Sequence, residues 1–194
     1  MKKIQQFNPA RPQHLFLYII CIVLLAACNK DDASTDDAWR TANEQAFNAL
    51  AHNTEYTEIK APSNGGSIYY KSLQKGEGTK PIYYTSYVQV YYKGWYVVTD
   101  AEKGITAGDV FDQRLSDTST PLAVSVNPAN SETSGASSVI EGWQVALQHM
   151  VEGDKWEIWI PSELSYGSTA SGTMPGYTTL AFEIEVVKVY GVEE

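Results

Sequence analysis

The side chains that usually begin enzymatic chemistry are scarce in this sequence. There are three His and two Cys among 194 residues, and no H-E-x-x-H, C-x-x-C, G-x-S-x-G or Walker A pattern. Two Cys build neither a disulfide scaffold nor a Cys-rich zinc site, and three His leave little room for a His-based metal site. His149 lies off the apolar stripe of a predicted helix and reads as surface, and His52 reads as a solvated residue. The acidic pairs Asp31-Asp32, Asp36-Asp37 and Glu193-Glu194 read as charges of flexible ends, not as paired catalytic carboxylates. Aromatic residues are 12% of the chain, and eight of the 13 Tyr fall between Tyr69 and Tyr96. A phenol has an apolar body and a polar tip, so it can line a pocket and still donate a hydrogen bond. Three residues each admit two readings at this point. Trp143 is core on an apolar helix face or the floor of a pocket. Tyr166, before Gly167, is an ordinary loop aromatic or a donor to a ligand. Asp112 is a solvated turn residue or helix cap, or a carboxylate facing a reacting group.

Composition narrows the classes further. Apolar residues are 43% and charged residues 19%, enough to bury a core and too few charges for a wholly disordered chain. The length suits one globular domain with a small appendage. A net charge of −9 argues against nucleic acid as a partner, because that needs a basic footprint. The N-terminus reads as an address. Lys2, Lys3 and Arg11 precede the uncharged run LFLYIICIVLLAA at 15–27, shorter than the ~17–25 residues of a membrane span and suited to a secretory signal. It ends in Leu25-Ala26-Ala27-Cys28, which resembles the lipobox of bacterial lipoproteins. That resemblance implies a signal peptide over 1–27 and lipid acyl chains (palmitate) on Cys28 that tie the chain to a membrane; a plain signal peptide or short signal anchor is the alternative. Removal of 1–27 takes Lys2, Lys3 and Arg11 from the 14 basic residues and leaves 11 against 23 acidic. Such a body avoids anionic membrane surfaces, so acyl chains must do the anchoring. Asn29-Lys30-Asp31-Asp32 resembles the surface-export signal of some Gram-negative lipoproteins. The expected location is therefore the bacterial cell envelope, at the outer membrane, facing periplasm or cell surface. Residues 28–37 read as a flexible tether.

The elements that would position the candidates follow from periodicity. In 38–50, Trp39, Ala42, Ala46, Phe47 and Leu50 share one helical face, with Asp36 or Asp37 available as N-cap. This helix belongs to a short N-terminal extension, 38–62, that also carries a predicted strand at 54–61. Strands are predicted at 67–73 and 86–92, with a continuation at 95–99 beyond Gly94, which marks a bulge or kink. Over 142–151, Trp143, Ala146, Leu147, Met150 and Val151 form a helical stripe, and Gly153 is placed to stop it. Trp156, Ile158 and Ile160 alternate in 155–160, as do Leu180, Phe182, Ile184 and Val186 in 179–190. Several strands, one short helix and strands again predict an α+β fold over 63–194, an antiparallel sheet packed on one helix.

Five segments, in order, carry a family resemblance: Val88-Gln89-Val90-Tyr91-Tyr92-Lys93-Gly94, Gly108-Asp109-Val110-Phe111-Asp112, Val139-Ile140-Glu141-Gly142-Trp143, Ile160-Pro161-Ser162-Glu163-Leu164-Ser165-Tyr166-Gly167 and Leu180-Ala181-Phe182-Glu183-Ile184-Glu185. They resemble V-x-V-x-Y-x-G, G-x-x-F-D, V-I-x-G-W, I-P-x-x-L-x-Y-G and L-x-F-x-[IV]-E of the FKBP-type peptidyl-prolyl cis-trans isomerases. The resemblance spans about 67–189. It implies a strongly curved antiparallel sheet wrapped around one short helix, with a shallow apolar pocket between them. It implies rotation about X-Pro bonds, with no cofactor and no metal, acting on proline-containing peptides and unfolded exported proteins. Trp143 would be the floor under the proline ring, with Tyr92, Phe111, Val139, Ile140 and Phe182 as walls. Tyr166 and the Ile140 backbone N–H would donate to substrate carbonyls. Asp112 would be a buried carboxylate held by the Tyr92 hydroxyl.

Departures from the pattern bear on the expectation. The family's loop before the last strand reads STASGTMPGY at 168–177, where Met174 is expected to touch a ligand but Thr173 weakens the wall. Leu122 stands where an aromatic wall is common, and Arg114 lies two residues beyond Asp112, off the position where the family often has an Arg. The segments 95–109 and 125–138 are long and are expected to tune substrate access. These departures favour the alternative of a peptide-holding chaperone with little isomerase activity; a structural lipoprotein with a vestigial pocket is a third reading. The extension is too short for a long dimerising helix, so a monomer is expected.

Overall fold

The structure, a computed structural model, describes residues 31–62, 65–131 and 135–190. The chain divides into two units, 1–37 and 38–194. The second holds every strand among the described residues: β1 (Thr57–Lys60), β2 (Ser67–Gln74), β3 (Tyr87–Tyr96), β4 (Val110–Arg114), β5 (Leu122–Ser125), β6 (Ser137–Ser138), β7 (Lys155–Ile160) and β8 (Leu180–Tyr190). They form one sheet in the order β1-β2-β7-β8-β3-β5-β6, with β4 also paired to β3. Every pairing is antiparallel except β5 with β6.

The alternation seen in the sequence decides which face is inside. Val88 and Val90 of β3, Ile158 and Ile160 of β7 and Ile184 of β8 are fully buried. They share one core with Val145, Ala146 and Leu147 of the short helix α2 (Glu141–Leu147). Burying one large aliphatic side chain is worth roughly 1.5–3 kcal/mol, so this contact between sheet and helix dominates the fold. Gly142 lets the helix approach: a Cβ there would collide with the Ile160 side chain. The α+β architecture expected from the sequence is the one observed, with a further helix preceding the sheet.

Several details differ from the sequence reading. The N-terminal helix, α1 (Asp31–Asn48), starts seven residues before Ala38, so Asp36 and Asp37 lie inside it instead of capping it. No Gly or Pro interrupts that stretch, so nothing breaks the helix there. Residues 38–62 are not set apart from the domain, because Trp39 and Ala61 belong to the common core. Helix α2 ends at Leu147, short of Val151. The bonds from His149 N to Ala146 O and Met150 N to Leu147 O tighten the chain, and the Asp154 carboxylate takes the N–H of Val151 at 2.8 Å and of Gly76 at 2.8 Å. Gly153, at φ +89°, serves this later turn and not the helix end.

The described parts of the two long segments are tied down. Beyond β3, Tyr96 exchanges backbone bonds with Asp109 and Gly108, and Asp100 with Ile105, which is itself buried. This is a hairpin continuing the strand. After β5, Val126 is buried and bonded to Ser86, and a short 3₁₀ turn over Pro128–Asn130 is capped by the Asn127 side chain. The chain returns as β6 beside β5.

Candidate active site

A cleft of about 480 Å³ opens between α2 and the inner face of the sheet. Its floor is the Trp143 indole, which meets Tyr92 edge-on at 5.3 Å and 77° and Phe182 at 5.3 Å and 89°. Phe182 meets Phe111 at 5.5 Å and 90°. Edge-to-face contacts at these separations are favourable beyond the area they bury, so the four rings hold one another in place. Gly94 makes the cradle possible: a Cβ there would lie 2.6 Å from Phe182 and 2.7 Å from Phe111. The register with β4 shifts at the same point, between Gly94 and Trp95, so the bulge expected at Gly94 is present, and the close approach of the two rings adds a second reason for glycine there.

The polar groups stand at the rim. The Tyr92 hydroxyl donates to Asp112 Oδ2 at 2.7 Å. Burial, then the hydrogen bond and charge of Asp112, push the Tyr92 phenol up to about 12. Tyr166 is 48% exposed, and its phenol is also raised, by burial first and by the Asp112 charge second. Its hydroxyl makes no hydrogen bond among the described residues, nor does the Ile140 N–H just ahead of α2. The Trp143 Nε1 is buried with no partner. The Tyr166 hydroxyl and the Ile140 N–H thus stand at one apolar cleft with no protein partner, an arrangement suited to a ligand rich in carbonyl oxygens.

Most of the residues singled out in the sequence converge here. Tyr92, Phe111, Asp112, Leu122, Val139, Ile140, Trp143, Tyr166 and Phe182 all line the cleft. Two expectations fail. Met174 is buried in the core at 8% exposure and does not line the cleft. Its backbone is bridged to Ser171, which turns the side chain under the loop. Asp112 is exposed, not buried, because β4 lies on the outer side of β3 and the carboxylate points to the open mouth. Nor does Arg114 pair with Asp112; it donates to Thr120 O at 3.3 Å. Ser137 and Ser138 of β6 also line the rim; they end the segment 125–138 that was expected to tune access but were not named individually among the site residues. Val139 itself is fixed by Gln144, whose amide donates to its carbonyl at 3.0 Å.

Comparison with known proteins gives a consistent result. The family model of the FKBP-type peptidyl-prolyl cis-trans isomerase matches residues 78–187. An FK506-binding protein of Neisseria meningitidis serogroup A is 35% identical over 126 residues, which is 64% of this chain and 98% of the relative. The FKBP-type 22 kDa peptidyl-prolyl cis-trans isomerase of Escherichia coli is 32% identical over 152 residues, 75% of this chain and 64% of its own length. Among solved structures, a peptidyl-prolyl cis-trans isomerase from Pseudomonas syringae pv. tomato aligns with a TM-score of 0.59 at 28% identity, over 80% of this chain and 96% of that one. The matched stretch contains every residue lining the cleft and leaves out α1.

Proposed function

The chain belongs to the FKBP-type peptidyl-prolyl cis-trans isomerases, and on that premise we propose how its cleft turns X-Pro bonds and where it does so. The reaction faces a barrier of ~18–20 kcal/mol because amide resonance resists rotation. No bond is made or broken, so the catalyst needs only to bind the twisted amide better than the planar one. The twisted amide has lost conjugation and is less dipolar, so an apolar site costs it less desolvation. In this reading the proline ring sits on Trp143, between Tyr92, Phe111 and Phe182, with Leu122 and Val139 beside the preceding residue. Tyr166 and the Ile140 N–H donate to two substrate carbonyls and fix the peptide while the bond rotates. Asp112, held by Tyr92, presents its carboxylate to the rotating carbon and nitrogen.

The observation that carries this reading is the mutual edge-to-face packing of Trp143, Tyr92, Phe182 and Phe111 beneath free donors. A holding chaperone without catalysis is not favoured, since relatives at this level of identity are named as isomerases. The test is the isomerisation rate of a short X-Pro peptide with the full chain in detergent. Acceleration by the wild type that falls in a folded Tyr166→Phe or Asp112→Asn variant is expected. A folded wild type that leaves the rate at its uncatalysed value would sink the reading.

The clients proposed are unfolded exported proteins, and the enzyme is anchored by lipid on Cys28 at the outer membrane, acting as a monomer. Leu25-Ala26-Ala27-Cys28 after an apolar run supports the anchor. Metabolic labelling with a fatty acid checks it: label is expected on the wild type and absent from Cys28→Ala. Equal labelling of both would remove the proposal.

A further inference from the structure

A closely bonded polar cluster lies away from the cleft, where α1 meets the segment leading into β8. Trp39 Nε1 donates to Gly176 O at 3.1 Å and to Thr178 Oγ1 at 3.2 Å. Thr178 Oγ1 in turn donates to Pro175 O at 2.7 Å. Asn43, with no exposed surface, accepts from Thr179 N at 2.9 Å through Oδ1, while its Nδ2 donates to Trp39 O at 2.9 Å. Thr179 Oγ1 closes the set by donating to Asn43 O at 3.2 Å. Between the two anchors the Arg40 guanidinium stacks over Tyr177 at 4.6 Å. Tyr177 is held at φ +59°, the one non-glycine residue with positive φ among those described. A bulky residue adopts that conformation only where its surroundings over-determine it.

This clamped segment is wired to the mouth of the cleft. Tyr177 N donates to Gly167 O at 2.9 Å, and Gly167 N donates to Ser162 O at 2.8 Å. Gly176 lies so close to the backbone of Ser168 that a Cβ there would collide with it. Gly167 directly follows Tyr166, the half-exposed phenol at the rim. Two hydrogen bonds, from Trp39 to Gly176 and from Tyr177 to Gly167, therefore lead through adjacent residues to the backbone that carries Tyr166.

We propose that α1 is a positioning element for the prolyl cleft, with Trp39 and Asn43 as positioning residues that hold 175–179 and, through Gly167, set where the Tyr166 hydroxyl stands. The consequence for catalysis rests on the isomerase reading; the mechanical coupling does not. The substrate contact most affected is the one made by Tyr166, so binding of the peptide weakens more than turnover of the bound peptide slows.

The full chain in detergent tests this, with Trp39→Phe, which keeps a ring but removes the donor, and Thr178→Val, which removes one acceptor and spares the helix. Amide hydrogen exchange at Tyr177 and Gly167 is expected to rise about threefold to tenfold, the scale of one hydrogen bond, while β3 and β8 amides stay as in the wild type. KM for an X-Pro peptide rises by a similar factor, kcat changes less, and Thr178→Ser restores both. Unchanged exchange at Gly167 in both variants would overturn the proposal. So would a loosened loop with KM unchanged, which would make the cluster a purely structural tie. A wild type without catalysis would instead remove the isomerase reading, and exchange at Gly167 would still decide the coupling.

Discussion

Trp143 and Trp39 are buried to nearly the same degree, at 4% and 3% exposure, and their indole nitrogens are treated in opposite ways. Trp143 Nε1 has no partner, in a cleft where the Tyr166 hydroxyl and the Ile140 N–H also bond nothing among the described residues. Trp39 Nε1 is shared between two acceptors, in a cluster where both ends of the Asn43 amide are used. Leaving a buried donor unmade costs about 1–3 kcal/mol, a cost that falls on Trp143 and is avoided at Trp39. The cleft leaves the Tyr166 hydroxyl and the Ile140 N–H open to a ligand and gets its order from ring packing. The α1 contact spends its donors internally and gets its order from hydrogen bonds. One region is built for a visitor and the other to stay closed.

Substitutions can break this contrast. The largest effect expected is from Trp143→Ala, which removes the ring that Tyr92 and Phe182 pack against. It should cost about 3–5 kcal/mol in chemical denaturation and most of the isomerisation rate. A variant that retains wild-type catalysis would separate the cradle from the chemistry. Next is Asn43→Ala, which strands the buried Thr179 N–H and should cost about 1–3 kcal/mol in a urea melt. A loss too small to measure would mean the cluster is not closed as described.

Smaller effects sharpen the contrast. Because the Tyr166 hydroxyl has no internal partner, Tyr166→Phe should leave stability within about 0.5 kcal/mol while lowering kcat/KM about threefold to tenfold. A comparable loss of stability would show that the hydroxyl serves the fold. The smallest change expected is with pH. Tyr92 is pushed up to about 12 and Tyr166 is also raised, so both stay protonated and the rate should not vary between about pH 6 and pH 9 on their account. A raised phenol favours the folded state while it is neutral. The contribution of Tyr92 to stability is therefore full below about pH 10 and lost as pH climbs through its folded value. Denaturation midpoints across that range, compared with Tyr92→Phe, check the sign.

The cleft was legible in the sequence through the family resemblance, because its residues sit in the short motifs that carry it, while pattern alone left Trp143, Tyr166 and Asp112 open to ordinary structural roles. Tyr92, Phe111, Trp143 and Phe182 meet as the resemblance implied. Periodicity failed where the backbone leaves its regular phase. Val189 is buried because a bulge at Val187 moves the inward step from Val186 to Val189, which strict alternation does not foresee. Met174 was expected to touch a ligand because its loop resembles the family's, yet the bridge to Ser171 folds it under. Asp112 kept its partner and lost its burial, since burial depends on how far β4 overlaps β3 and not on local spacing. The α1 cluster was invisible for a simpler reason. Its bonds join residues 136 to 139 apart in the sequence, Asn43 is a polar residue on an apolar stripe, and the helix lies outside the stretch that the family shares.

The position of β8 has a kinetic meaning. β8, the last strand among the described residues, is not at an edge; it is laid between β7 and β3, and Tyr96 pairs with Leu180 while Tyr87 pairs with Tyr190. Until residue 190 has emerged, β3 and β7 both present bare backbone, an invitation to mispairing. Closing the sheet requires contacts across most of the domain, the kind of topology that folds in milliseconds to seconds, not microseconds. A ribosome that makes this chain from its N-terminus therefore exposes the facing edges of β3 and β7 until β8 is available to lie between them.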